Sequence, residues 1–208
     1  AIADANGRLV AALGDVTRSV FPRSSSKMFQ AMPLVETGAA DRFHMSDEEL
    51  SLACASHSGE EGHVKAVEAF LARIGASPDD LACGPHWPGN ELASRALAVR
   101  GEVPCPLHNN CSGKHAGFVA LAKHLNADPR RYAELDHPVQ KSVRAMMCEL
   151  CDVEEEALVA GNDGCAAPNY AMPLAAFARG LAKLADPSSL APRRREAALR
   201  LQQAVRNK

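Results

Sequence analysis

Aromatic side chains are scarce in this 208-residue chain, with one Trp, two Tyr and six Phe making up 4% of it. So thin a supply, beside abundant Ala and Leu, disfavours an all-β sandwich and favours packed helices. Charge of one sign is lacking too: the formal net charge is −2 and no long run of either sign occurs. That leaves no electrostatic footprint for nucleic acid and no basic face for anionic lipid. The one Arg cluster, Arg193-Arg194-Arg195, sits beside Pro192 and near Glu196, and reads as a solvated helix start. No apolar stretch approaches the roughly 20 residues needed to span a bilayer. The front also lacks the charged and then apolar pattern of a leader. An even cysteine set is absent as well. The seven thiols (Cys54, Cys83, Cys105, Cys111, Cys148, Cys151, Cys165) are spread through apolar sequence. They read as reduced thiols of a cytoplasmic protein, not as a disulfide framework.

What is present supports one sizeable core, since 47% of the residues are hydrophobic. Residues 1–13 read as a hairpin turning at Asn6-Gly7, expected to join a larger sheet because a lone hairpin is marginal in water. Ser24 or Ser25 is expected to cap a helix running to Thr37, with Pro33 kinking or interrupting it. Ser46-Asp47-Glu48-Glu49 is a capping-box start for a helix through Cys54. Helical spacing continues at 60–74 and 90–100, in a segment capped by Ser112 that runs to about Leu125, after His137-Pro138, and at 173–184 and 192–206. Ser77-Pro78 opens a short helix, and Leu158-Val159-Ala160 reads as a strand. The fold class expected is helix-rich α+β, in one domain without repeats or low-complexity linkers.

Ser24-Ser25-Ser26-Lys27 contains Ser-x-x-Lys. Residues three apart share a helix face, so the Ser24 hydroxyl is expected to meet the Lys27 amine. A serine needs such a base to become a nucleophile, and a lysine serves only if burial or a neighbouring cation lowers its pKa from about 10.4. The competing reading is an N-cap serine and a solvated lysine. Ser56-His57-Ser58-Gly59-Glu60 follows a capped helix, and packed serines beside glycine suit a backbone that approaches a small polar substrate.

His108-Asn109-Asn110-Cys111-Ser112-Gly113-Lys114-His115 is the densest polar run. Cys111 and Lys114 lie three apart around a helix start, where a thiolate is favoured. Asp163-Gly164-Cys165 adds a second thiol and a carboxylate on a loop. Thiolates are expected zinc ligands, lysine an unusual one; the plainer account is buried cysteines and a surface lysine. Cys148-x-x-Cys151 has no second pair and reads as helix packing. The Gly-x-x-x-x-Gly-Lys-Ser/Thr frame is missing around Lys114, which excludes a phosphate loop.

Six collinear stretches resemble the Rhizobium etli-type L-asparaginase II family, the thermolabile serine asparaginases. They are Phe21-Pro22-Arg23-Ser24 through Lys27 to Glu36; Ala53-Cys54-Ala55-Ser56-His57-Ser58-Gly59-Glu60; Cys83-Gly84-Pro85-His86-Trp87-Pro88; Leu107 to Phe118; Asp136-His137-Pro138-Val139-Gln140; and Asp163-Gly164-Cys165. The resemblance implies a fold similar to serine β-lactamases and glutaminases, with helices on an antiparallel sheet. It implies hydrolysis of the side-chain amide of L-asparagine, with Ser24 as nucleophile, Lys27 as its base and Ser56 as a second reactive serine. It also implies Cys111, Lys114 and Cys165 as zinc ligands that help hold substrate. Arg23, His115 and Asp163 are then expected at the substrate.

By the same resemblance, the family's first strand and its C-terminal part are expected to be missing from this chain. The missing part includes the lysine that pairs with the second serine. The alternatives are a β-lactamase-like acyl hydrolase, against which the absence of Ser-Asp-Asn and Lys-Thr-Gly counts, and a catalytically incomplete metal-binding domain. The partner expected is a small amino-acid amide, with a homodimer left open.

Overall fold

Helices make up most of the computed structural model, which describes residues 1–208. They are α1 (Lys27–Glu36), α2 (Ala39–Arg42), α3 (Asp47–Cys54), α4 (Glu61–Arg73), α5 (Glu91–Val99), α6 (Ser112–His124), α7 (Pro138–Cys151), α8 (Leu174–Ala185) and α9 (Pro192–Asn207). The strands are β1 (Ile2–Ala3), β2 (Leu9–Ala11), β3 (Ser19–Val20), β4 (Val159–Asn162) and β5 (Pro168–Pro173). β5 is the middle strand of a three-stranded antiparallel sheet, between β3 and β4. The chain is thus helix-rich α+β. No helix is long and apolar enough to cross a membrane.

α6 is the axis of the core. Every residue from Ser112 to Ala122 is buried, so this helix is covered all round and has no polar stripe. It packs against α1, α3, α4 and α7, and 42 buried residues form one continuous apolar cluster around it. Gly113 permits the closest of these approaches. A Cβ built there would lie 2.6 Å from the Leu52 carbonyl oxygen of α3, closer than any side chain allows. The two helices that carry the conspicuous polar motifs therefore meet through a glycine.

Local signals placed most helices. The Ser46 hydroxyl accepts from the Glu49 N–H while the Glu49 carboxylate accepts from the Ser46 N–H, the reciprocal pair expected there. His137 caps α7 by accepting from Val139, and Cys151 of α7 is fully buried.

Three expectations need correction. The β1–β2 hairpin joins no larger sheet; it stands as its own two-stranded unit and leans on α8. Neither Ser24 nor Ser25 caps a helix: Arg23–Ser26 is a 3₁₀ turn leading into α1, with no side-chain cap bond. Of the two outcomes expected at Pro33, interruption does not occur: α1 continues through it to Glu36, although Pro33 has no N–H to give. Ser112 is the first residue of α6 rather than its cap, and its hydroxyl donates to the Leu107 carbonyl. β5 carries no sequence signal, because a run bounded by prolines has no alternating pattern to declare it.

Candidate active site

The turn that carries Ser24 is unusual in its backbone. Arg23 has φ 51°, in the left-handed region that L side chains rarely occupy. That conformation directs its guanidinium across to Asp163, with Nη2 3.0 Å from Oδ1. A non-glycine residue held there is a local strain that surrounding contacts must maintain.

Lys27, the first residue of α1, is 1% exposed, so it is not the solvated lysine of the plainer reading. Its Nζ donates to the Ala55 carbonyl at 2.5 Å and to Ser56 Oγ at 2.9 Å. Ala55 terminates α3, where a carbonyl without a helical partner attracts a cation. Ser56 Oγ in turn donates to Ser24 Oγ at 3.2 Å. The expected direct meeting of Ser24 and Lys27 is therefore replaced by a line Lys27–Ser56–Ser24. The physical reason is the pull of the α3 carboxyl end on the amine, which sequence spacing within α1 does not reveal. Burial lowers the Lys27 pKa, and the charge of Lys114 adds to this against the opposing pull of the Cys111 sulfur.

His57 holds Ser56 in place, a role its sequence gave no reason to assign. Its Nδ1 accepts from the Gly59 N–H at 3.1 Å, so the ring proton sits on Nε2, which donates to Ser112 Oγ at 2.8 Å. Its own backbone N–H donates to the Asn110 carbonyl. The Ser56 loop is thus tied to the start of α6. Burial, with His63 and Lys27 nearby, pushes the His57 pKa down to about 4 and keeps the ring neutral.

Cys111, Lys114 and Cys165 converge although 51 positions separate Lys114 from Cys165. Lys114 Nζ lies 3.0 Å from Cys165 Sγ. The thiol of Cys111 donates to Cys165, which holds Cys165 far below the ordinary thiol pKa, aided by His115 and Lys114. The same bond, with burial, raises Cys111. The pair's proton is thus drawn to Cys111, and Cys165 is the more acidic of the two. Two sulfurs and an amine gathered in a buried site suit a soft divalent ion such as zinc. No three His, Cys, Asp or Glu side chains are grouped to hold a metal, so Lys114 would have to serve as a donor.

His115 does not sit where a substrate contact was expected. It is fully buried. Tyr132 Oη accepts from the Ala82 N–H at 2.6 Å and meets His115 Nδ1 at 2.7 Å. The Tyr132 O–H then donates to Nδ1, leaving the ring proton on Nε2, beside the Cys165 sulfur and without an ordinary partner. Burial pushes the His115 pKa down to about 4. Its place is behind the sulfur.

A cavity of about 230 Å³ brings Ser24, Cys111, Cys165, Arg23 and Asp163 onto one surface. His86, Asn109 and Asn110 also line it. Asn109 is structural at least in part, since its Oδ1 accepts from the Cys111 N–H and its Nδ2 donates to the Gly84 carbonyl. In the sequence these three polar residues stand only as parts of motifs, with no signal that sets them at the cavity. A larger cavity of about 830 Å³ between α4 and α5 contains none of Ser24, Lys27 or Ser56.

No curated protein matches the chain. The model of the L-asparaginase II family, by contrast, matches residues 1–208, and the chain belongs to that family of amide-hydrolysing enzymes.

Proposed function

We propose that this protein hydrolyses the side-chain amide of L-asparagine through an acyl-enzyme on Ser24. The observation that carries this reading is the Lys27–Ser56–Ser24 line, which runs from a buried amine through two exposed hydroxyls to a small polar cavity. With Lys27 neutral, the hydrogen bonds run the other way. Ser24 gives its proton to Ser56, Ser56 gives its own to Lys27, and Ser24 Oγ attacks the amide carbon. Burial and the positive end of α1 both favour the neutral amine before the attack. The tetrahedral intermediate then loses ammonia, which takes its proton back along the same line. Water, deprotonated by the same base, releases L-aspartate and frees Ser24.

Arg23 and Asp163 are assigned to the charged groups of the amino acid. His115 is withdrawn from direct substrate contact and assigned to the Cys165 sulfur. Zinc held by Cys111, Lys114 and Cys165 would act as a Lewis acid that helps position the substrate.

The test is asparagine hydrolysis by Ser24→Ala beside the unaltered protein. Complete loss with an unchanged melting temperature is expected. Turnover near that of the unaltered protein removes Ser24 from the chemistry.

A further inference from the structure

The cavity of about 830 Å³ between α4 and α5 takes no part in the reaction proposed above, yet a thiol and an imidazole line it together. They are Cys105 and His108, at the start and the end of the 3₁₀ turn Pro106–His108 that leads toward Cys111.

Cys105 Sγ lies 3.2 Å from His108 Nδ1. The same nitrogen accepts from the Cys105 N–H at 3.1 Å. It therefore holds the lone pair of the ring, and the sulfur is the donor. The turn does not need that sulfur as a cap, because the His108 N–H is already bonded to the Cys105 carbonyl at 3.0 Å. Both side chains are half-buried, so the pair is reachable from the cavity. A base within hydrogen-bond reach of an accessible thiol is what makes the sulfur a nucleophile.

The other thiols are placed differently. Burial pushes Cys54, Cys83 and Cys151 up to about 12 and raises Cys148 as well, and a sulfur held protonated attacks poorly. Cys111 and Cys165 face each other beside Lys114 in the candidate metal site.

The walls of the cavity select the reagent. Glu60, Glu61, Glu68 and Glu102 line it against one guanidinium, Arg100. Arg100 is bonded to Glu102 at 2.8 and 2.9 Å, which leaves an acidic approach to the sulfur. Such a wall draws a cationic reagent and repels an anionic one.

We propose that Cys105 and His108 form a thiol–disulfide exchange site that takes small disulfides bearing ammonium groups. His108 Nδ1 takes the Cys105 proton, the sulfur attacks one sulfur of the disulfide, and the S–S bond of the reagent breaks. The Cys105 sulfur is oxidised into a mixed disulfide. The departing sulfur is reduced and leaves as a thiol with the proton that His108 held. Excess free thiol reverses the exchange.

The experiment treats the full chain with cystamine or dithiodipropionate, disulfides of similar length with ammonium or carboxylate ends. Each rate is divided by that of mercaptoethanol with the same reagent, which removes the intrinsic difference between the two leaving thiols. Intact mass and peptide mapping should find one cysteamine, on Cys105 and released by dithiothreitol. The corrected preference for cystamine should be roughly tenfold and should shrink in added salt. His108→Asn keeps an acceptor for the Cys105 N–H and lacks the base, so exchange should slow roughly tenfold or more at an unchanged melting temperature. Cys105→Ser should take up no reagent. A first adduct on any other cysteine, or exchange as fast in His108→Asn as in the unaltered protein, overturns the site. Equal corrected rates for the two disulfides overturn the choice of ligand.

Discussion

Ser56 stands between a buried amine and an exposed-side hydroxyl, and this arrangement separates two mechanisms at single-residue scale. If the proton passes through Ser56, Ser56→Ala lowers kcat by roughly 10²–10⁴, the range for a lost acid–base relay. If Lys27 acts on Ser24 directly, the same variant keeps most of its turnover, and steady-state kinetics decide. His57 carries a second prediction. Its pKa of about 4 in the fold lies below the ordinary 6.5, so the native protein binds fewer protons than the unfolded chain between those values. The stability His57 contributes is complete above pH 6.5 and is lost as pH falls toward 4, at most about 3 kcal/mol. His115 acts in the same direction. Chemical denaturation from pH 7 to 4 should therefore show a smaller fall for His57→Asn than for the unaltered protein, from a lower starting stability. Equal slopes would remove His57 from the account.

At the scale of elements, α3 and α6 present a contrast. Both bear on the site, α3 through the Ser56 loop that follows it and α6 through Cys111, Lys114 and His115. Gly113→Ala forces a methyl against the Leu52 carbonyl. Overpacking of this kind costs about 1–3 kcal/mol, and the displaced α3 carries Ser56 away from Lys27, so kcat and melting temperature should fall together. Ser46→Ala removes the cap at the far end of the same helix for about 1 kcal/mol. Its melting temperature should drop while kcat stays unchanged. The capping box was legible in the sequence because its partners lie three residues apart. The need for Gly113 was not, because the atom it accommodates is 61 positions away.

Across the whole molecule, α9 holds the frame on which the site is built. It packs on α1, which carries Lys27, and on α3, which leads into the Ser56 loop, and its Leu201 is fully buried in the main cluster. Arg194 pairs with Glu36 at 2.9 Å and Arg200 with Asp41 at 2.5 Å. Leu201→Ala should cost about 2–5 kcal/mol by leaving a cavity. The ion pairs, which are partly exposed, should contribute far less, and denaturant titration of Leu201→Ala beside Arg200→Ala ranks the two. Zinc is a separate, global test. Elemental analysis should find about one equivalent in the purified protein, and none after Cys165→Ala.

Periodicity, caps and composition in the chain determined the helix-rich class and most helix positions, because those signals act within one or two turns. The six collinear stretches pointed to the family and to which polar residues to watch. Tertiary packing alone decided how those residues meet. It gave Lys27 to Ser56 and the α3 carboxyl end, put His115 behind the Cys165 sulfur, and brought Arg23 to Asp163. Each of those contacts joins side chains from separate elements, and the burial that gives them their charge state exists only once the core has closed around them.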